Sequence, residues 1–233
     1  MGKIKFTFVK LFQVFMGKYL SWKSQLYDKT LILGYRGKEA TIGYPSVITH
    51  SKLVFLHDYS RLQRNNVIYN HTGKFIMKEY SGASIGLLVV TGNHRPTVGI
   101  PHFMLPLSRV NDMETDIIVE EDVWIGANVT LLAGAHIGRG AIIGASSLVN
   151  KEIPPYAVAV GSPTHIVASK FTIEQIIEHE KLLYPENKRF SREFLEQLFA
   201  TYYKGKKSIG LYTDLKKAGF VDFMEKRGYE YLR

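Results

Sequence analysis

Between Val119 and Val149 an aliphatic residue recurs every six positions, at Val119, Ile125, Leu131, Ile137, Ile143 and Val149. Four positions after each stands a second candidate for burial: Val123, Val129, Ala135, Ala141, Ser147 and Ile153. Glycine follows the aliphatic residue at Gly126, Gly138 and Gly144. A helix needs apolar spacings of about three and four, and a half-buried strand needs alternation. A period of six suits neither. It suits a solenoid in which each hexad is one short strand plus one corner, and in which stacked coils bury a continuous core. The aliphatic side chain points inward, and the residue four later must be slim because three faces converge on a narrow axis. Glycine is read as the corner residue, since it turns at little steric cost. Backbone hydrogen bonds then join coils about 4.8 Å apart. A run of buried strands in a sandwich gives no reason for a fixed period.

The pattern extends upstream with less regularity. Ile42-Gly43 is hexad-like, and short apolar runs fill residues 53–91. Met77, Ala83 and Val89 keep the period, with Ser81 and Leu87 four positions after the first two; Ile85-Gly86 supports a competing frame. Residues 95–116 break it with Pro96, Gly99, Pro101 and Pro106. A long stretch without periodic structure is uncommon in a compact domain and usually functional, and His94 stands at its root. After Pro154-Pro155 one last coil, A-V-A-V-G-S-P, leads out. Thr172 with Gln175 reads as a capping box, followed at helical spacing by Ile173, Ile176, Ile177 and Leu183 and stopped by Tyr184-Pro185. Ser191 caps a second predicted helix, with Phe194, Leu195, Leu198, Phe199 and Tyr202 on one face and Gly205 beyond it. The tail after Lys204 predicts one or two short helices. The expected organisation is an N-terminal helical segment (1–40), a mainly β solenoid (41–168) with a loop excursion at 95–116, and a C-terminal α-helical extension (169–233).

The chain has 233 residues, no cysteine and a formal net charge of +9. Disulfide and thiolate chemistry are excluded. The charge suits an anionic partner: nucleic acid, a membrane surface or a phosphate-rich ligand. No nucleic-acid motif accompanies it. Lys10, Gln13 and Lys18 interrupt the N-terminal apolar run, so it does not read as a membrane span or a cleavable signal. Met1-Gly2 suggests myristoylation, but Phe6 occupies the position where Ser or Thr is wanted. The segment reads as a basic amphipathic helix, with Phe8, Leu11, Phe12, Phe15 and Tyr19 near one face and Lys3, Lys10 and Lys18 elsewhere. It either docks on an anionic membrane or caps the open end of the solenoid. Capping is preferred, because solenoids need closed ends.

The T-G-N-H that ends a coil, the loop, then E-D-V-W-I-G-A-N-V-T, I-G-R-G-A-I-I-G-A-S-S-L-V-N-K-E-I-P-P-Y and V-G-S-P resemble the hexapeptide-repeat acyltransferases. The nearest subgroup is that of the maltose, galactoside and capsular-polysaccharide O-acetyltransferases. The resemblance covers roughly residues 42–168. It implies a left-handed parallel β-helix, a homotrimer with active sites between subunits, acetyl-CoA as acyl donor, a sugar or glycan acceptor, and no metal. His94 matches the histidine that acts as general base: a neutral imidazole takes the proton of an alcohol as it attacks the thioester. Trp124 matches a wall of the active site and, standing just before inward Ile125, should point outward. Ala127, Gly144 and Ala145 match positions along the pantetheine arm, where a side chain would block the ligand. Asn150 and Lys151 match a pair near the nucleotide end. Ala168 stands where relatives often carry a basic residue, and Lys170 is the nearest substitute.

Asn93, His102 and Arg109 are the candidate acceptor-binding residues, with Phe103, Asn111 and Asp112 beside them in the loop. A loop histidine without a role is the plainer reading of His102. Together with His94, His57, His71 and His136 invite a metal reading, as in the γ-class carbonic anhydrases that share the solenoid, but their spacing does not match. Glu120, Glu121 and Asp122 read most simply as a solvated corner. A cytoplasmic protein is expected, with the basic N-terminal helix and tail suited to a lipid-linked, phosphate-bearing acceptor at the inner membrane face. N-acetylation of an amino sugar, acetylation of a xenobiotic, and a non-catalytic scaffold remain open alternatives.

Overall fold

The computed structural model describes the backbone of residues 2–226 and the side chains of residues 10–226. Three parallel sheets run the length of a coiled prism. The first face stacks Tyr35–Arg36, Val54–Leu56, Phe75–Met77, Ile117–Val119, His136–Ile137 and Glu152–Ile153. The second carries Thr41–Ile42, Arg61–Leu62, Gly82–Ala83, Trp124–Ile125, Ile142–Ile143 and Ala157–Val160, and the third runs from Ser46–Ile48 to Leu148–Val149. Every residue of the six-period series from Val119 to Val149 is fully buried, and so are the slim positions from Val123 to Ile153. Met77, Ala83 and Val89 are buried as well, while Ile85 is exposed, which settles the frame of the early coils.

The irregularity of those coils is confined to one corner. Leu56, Leu62 and Ile68 keep the six-residue step and are buried. The surplus residues, 49–53 and 70–74, lie where the third face turns to the next first face. The 95–116 loop leaves at this same corner one coil later. At the far end the period slips. Ile153 pairs with Ile137 and Ala159 with Ile143, so the corner after Val149 is two residues short. Ile153, read as a slim filler, is instead an inward strand residue.

The corners themselves correct a reading of the glycines. The residues in left-handed conformation are Asp122, Asn128, Gly134, Gly140 and Ser146, six apart, and before them Tyr59, Asn65, Tyr80 and Gly86. Gly126, Gly138 and Gly144 have ordinary φ. A Cβ on Gly126 would lie 2.6 Å from the Ala145 nitrogen, and one on Gly138 would lie 2.6 Å from that of Pro155. These glycines let neighbouring coils approach; the left-handed residue that makes the turn stands two positions after each of them.

Helix α1 (Gly2–Thr30) crosses the N-terminal coils. Its last turns are fastened: Tyr27 donates to the Ser46 carbonyl at 2.8 Å, and Asp28 accepts from Arg36 at 2.7 Å and from the Ile42 amide at 2.9 Å. Capping therefore holds for the end of the helix only. Leu11, Phe12, Phe15, Tyr19, Trp22 and Leu26 are exposed, so the face predicted to be apolar points away from the solenoid. Lys3 and Phe8, whose side chains were assigned to that pattern, and the myristoylation reading of Met1 lie outside the described residues or side chains. No described helix is long and apolar enough to cross a membrane.

After the excursion's single-turn helix α2 (Leu105–Ser108), the next helix is α3 (Ile173–Leu183). It starts at the predicted capping box, with Thr172 and Gln175 bonding reciprocally, and ends at Tyr184. Ser191 caps α4 (Arg192–Leu198) through the Phe194 amide. A π-helical turn at Phe199–Tyr203 then shifts the phase, so Tyr203 is buried and Tyr202 is exposed, the reverse of the expected pattern. Ile176, Leu195, Leu198 and Tyr203 join the solenoid's core and close its C-terminal end. The tail adds a strand, Lys207–Ser208, beside His165–Ser169 and one further helix, α5 (Phe220–Lys226).

Candidate active site

The loop leaves the solenoid as a two-stranded antiparallel ribbon, Gly92–His94 against Asp112–Glu114, with His94 opposite Asp112 and Gly92 opposite Glu114. Glu114 anchors its base. That carboxylate accepts from the Thr91 hydroxyl at 2.6 Å and the Gly73 amide at 2.9 Å. Burial pushes its pKa up, but these bonds, with the amides of Thr72 and His71, outweigh burial and hold it below the usual carboxylate range. Gly92 leaves room for this carboxylate, since a Cβ would lie 2.8 Å from a Glu114 oxygen.

One residue pair along the ribbon, His94 Nδ1 lies 2.7 Å from Asp112 Oδ1. An ionised carboxylate only accepts, so Nδ1 carries the proton, and in the neutral ring Nε2 then presents a lone pair. The ring is half-exposed, at 40% of its side chain, and Asp112 less so, at 24%. A half-exposed histidine oriented by a carboxylate is the arrangement of a general base. The sequence places Asp112 among the loop residues beside the acceptor; the structure makes it the partner of His94. The signal was present in the alternation D-M-E, which mirrors G-N-H across the excursion, but only ribbon pairing reveals it.

Of the loop candidates, the structure brings His102 near His94, with ring centres 6.5 Å apart and edge-to-face. Asn93, one residue before His94, is exposed. Arg109 is exposed in left-handed conformation at the end of α2, and Asn111 ties the loop together through Thr97 at 3.1 Å. Leu105 is the loop's buried anchor, whereas Val98, Phe103 and Leu107 are strongly exposed.

The remaining candidates lie elsewhere on the prism. Trp124 is on the second face, half-exposed as expected, and stands over Gly82, whose Cβ would meet the indole at 3.2 Å. It lines a cleft of about 420 Å³ with Tyr80 and Ile142. Ala127, Gly144 and Ala145 occupy the corner between second and third faces, two coils deep. The missing side chain of Gly144 has a use inside the chain, because a Cβ would lie 2.6 Å from the Val160 side chain. Asn150 and Lys151 are exposed at the shortened corner after Val149. His94 thus sits at the corner between third and first faces, while Trp124 lies on the second face and Ala127 and Ala145 at its corner with the third.

The acidic corner is not a solvated face. Glu120 binds Lys78 at 2.6 Å and His136 at 2.9 Å; Glu121 pairs with Arg139 at 3.3 Å; Asp122 pairs with Lys170 at 2.7 Å and His179 at 3.1 Å. Burial raises the Asp122 pKa, but His179 and Lys170 outweigh it and leave it lowered. The sequence could not show this, because the cations come from other coils and from α3. Lys170 is therefore held in place beside the Trp124 cleft. Among the described residues no three His, Asp or Glu side chains are grouped to hold a metal.

Residues 116–151 match the bacterial transferase hexapeptide family (six repeats). A chloramphenicol acetyltransferase from Klebsiella aerogenes is 42% identical over 59 residues, which is 25% of this chain and 28% of the relative. A galactoside O-acetyltransferase from Lactococcus lactis is 40% identical over 83 residues, 32% of this chain and 40% of the relative. The chain thus spans less than half the length of these curated relatives. A hexapeptide-repeat acetyltransferase from Vibrio cholerae, solved with acetyl coenzyme A, shares the fold with a TM-score of 0.52 at 23% identity, over 59% of this chain and 71% of that one.

Proposed function

Starting from a hexapeptide-repeat chain whose relatives are acetyltransferases, we propose that it is an acetyl-CoA-dependent O-acetyltransferase acting on a hydroxyl of a sugar or surface-polysaccharide precursor. The observation that carries this reading is the His94–Asp112 pair, at 2.7 Å, on a ribbon projecting from the coils. Asp112 holds the tautomer, and Nε2 of His94 takes the acceptor hydroxyl's proton as its oxygen attacks the thioester carbonyl. The same proton can then pass to the departing thiolate of coenzyme A. Backbone N–H groups are the expected donors to the tetrahedral oxyanion.

The site is read as lying between subunits of a homotrimer of left-handed β-helices. Two observations support this. The exposed apolar residues of the loop, Val98, Phe103 and Leu107, have no cover within the described chain. The base and the Trp124 cleft lie on different corners of one prism, and threefold closure sets one copy's corner against its neighbour's. In that arrangement Trp124, Ala127, Gly144 and Ala145 border the pantetheine arm and Asn150 and Lys151 the nucleotide end, while Asn93, His102 and Arg109 face the acceptor. The protein is assigned to the cytoplasm, held peripherally at the inner membrane face by the apolar stripe of α1 and its lysines. Nucleic acid is not part of this reading.

The test is thiol release from acetyl-CoA with a panel of mono- and oligosaccharides and glycolipids, followed by mass analysis for one added acetyl group. Transfer to a sugar hydroxyl supports the reading. Transfer only to chloramphenicol-like compounds establishes the second reading, which the 42% match to a chloramphenicol acetyltransferase favours. Binding of acetyl-CoA with no transfer to any acceptor overturns both.

A further inference from the structure

Three hollows adjoin along the second face, two of them walled by α1. The first, about 720 Å³, is walled by Ser21 and Ser24 of α1 and floored by Tyr44 and Arg64. The second, about 230 Å³, lies under Gln25 and Asp28 and reaches Arg61. The third is the Trp124 cleft itself. Gln63 lines all three, and Arg61 lines the second and third. They form one groove leading from the helix to the tryptophan.

Its chemistry is specific. At the tryptophan end Tyr59 and Tyr80 stack with ring centres 5.2 Å apart and planes 4° from parallel, leaving Tyr80 56% exposed. With Trp124 they offer flat aromatic surface on three successive coils. Hydroxyls and amides from Ser21, Ser24 and Gln63 supply both donors and acceptors. The charges are one-sided. Asp28 is already paired with Arg36, and Asp122 with Lys170. Arg61 and Arg64 are exposed and form no ion pair among the described residues. Aromatic plates with dense neutral hydrogen-bonding groups suit pyranose rings, which have apolar faces and hydroxyl rims. Two unpaired guanidiniums suit carboxylate or phosphate oxygens. A hollow of hundreds of cubic ångströms before the tryptophan is the size of a ligand well beyond one hexose.

Resting on the acetyltransferase reading, we infer that this groove continues the acceptor site away from the loop residues and past Trp124, where acceptor and pantetheine arm meet, and that the acceptor is an anionic oligosaccharide. Its terminal sugar lies at Trp124, and its uronate or phosphate groups lie at Arg61 and Arg64. The helix then has two roles on two faces. Ser21 and Ser24 wall the groove, and the opposite stripe faces away.

The test compares a free hexose, a neutral oligosaccharide and a uronate-bearing oligosaccharide as acceptors for the wild type and for Arg61→Gln/Arg64→Gln. The wild type should prefer the uronate oligosaccharide by kcat/KM. The double variant should raise KM for that acceptor about tenfold or more, change the neutral oligosaccharide little, and leave KM for acetyl-CoA unmoved. Calorimetric binding of the uronate oligosaccharide to His94→Ala, with and without the two arginine changes, reads the site without turnover. Equal kcat/KM for hexose and uronate oligosaccharide, or unchanged binding in the arginine variant, overturns the inference while leaving acetyl transfer standing. A wild type that binds acetyl-CoA yet acetylates no sugar overturns the reading beneath it, and binding of the oligosaccharide in that case still upholds the groove.

Discussion

His94 and Asp112 are eighteen positions apart in sequence and face each other across an antiparallel ribbon, Nδ1 to Oδ1 at 2.7 Å. The pair predicts unequal losses. His94→Ala should lower kcat by about 10²–10⁴, the range of a general base, while leaving acetyl-CoA binding intact. Asp112→Asn should cost less, because the base remains. Wild-type kcat in Asp112→Asn would show that the carboxylate only props the loop.

The left-handed corner at Ser146, with φ of 59°, separates conformation from contact. Ser146→Gly should be neutral or mildly stabilising. Ser146→Val should destabilise by about 1–2 kcal/mol, because a β-branched residue meets its own backbone there. Urea unfolding of the two variants decides it, and equal midpoints would defeat the argument.

Glu180 is 1% exposed and joins Arg139 at 3.1 Å, the Tyr156 hydroxyl at 3.0 Å and the Phe190 amide at 2.7 Å. Burial lowers the Arg139 pKa, but Glu180 and Glu121 outweigh it and raise it. Glu180→Ala removes the acceptor of the Tyr156 hydroxyl and the Phe190 amide and leaves Arg139 with Glu121 as its carboxylate partner, and should cost about 3 kcal/mol or more. It should loosen α3 first, seen as faster amide exchange over residues 173–183. A loss under about 0.5 kcal/mol would mean that packing alone holds the extension.

Asp122 predicts a pH dependence with a definite sign. Its pKa is lowered in the folded chain, so its contribution is present above the unfolded value, about 4, and is lost as pH falls through the folded value. Asp122→Asn should therefore lower the melting temperature at pH 7, and the gap from wild type should narrow below about pH 4. A gap that stays constant from pH 7 to pH 3 would contradict this account.

The stripe on α1 predicts lipid binding. Phe15→Glu/Trp22→Glu should abolish co-sedimentation with vesicles rich in anionic phospholipid. Equal recovery of wild type and variant in the supernatant would refute the membrane reading. If the stripe instead packs against another copy, the variant will shift the oligomer on sizing without vesicles present.

The period of six from Val119 to Val149 determined the solenoid before any coordinates, because a repeat that positions every inward side chain is local information. The capping box at Thr172 and the N-cap at Ser191 were legible for the same reason: they bond over three residues. Tertiary structure decided what depends on stacking. Gly126 and Gly138 serve the coil beside them, not their own turn. Lys170 is held beside the Trp124 cleft by Asp122, which comes from another coil. Asp112 became the partner of His94 because the excursion returns as a ribbon. The groove under α1 exists only because the helix crosses coils far from it in sequence. A repeat fixes the path of the chain within each coil, but the partners of an outward side chain belong to other coils, and no period in the sequence carries their identity.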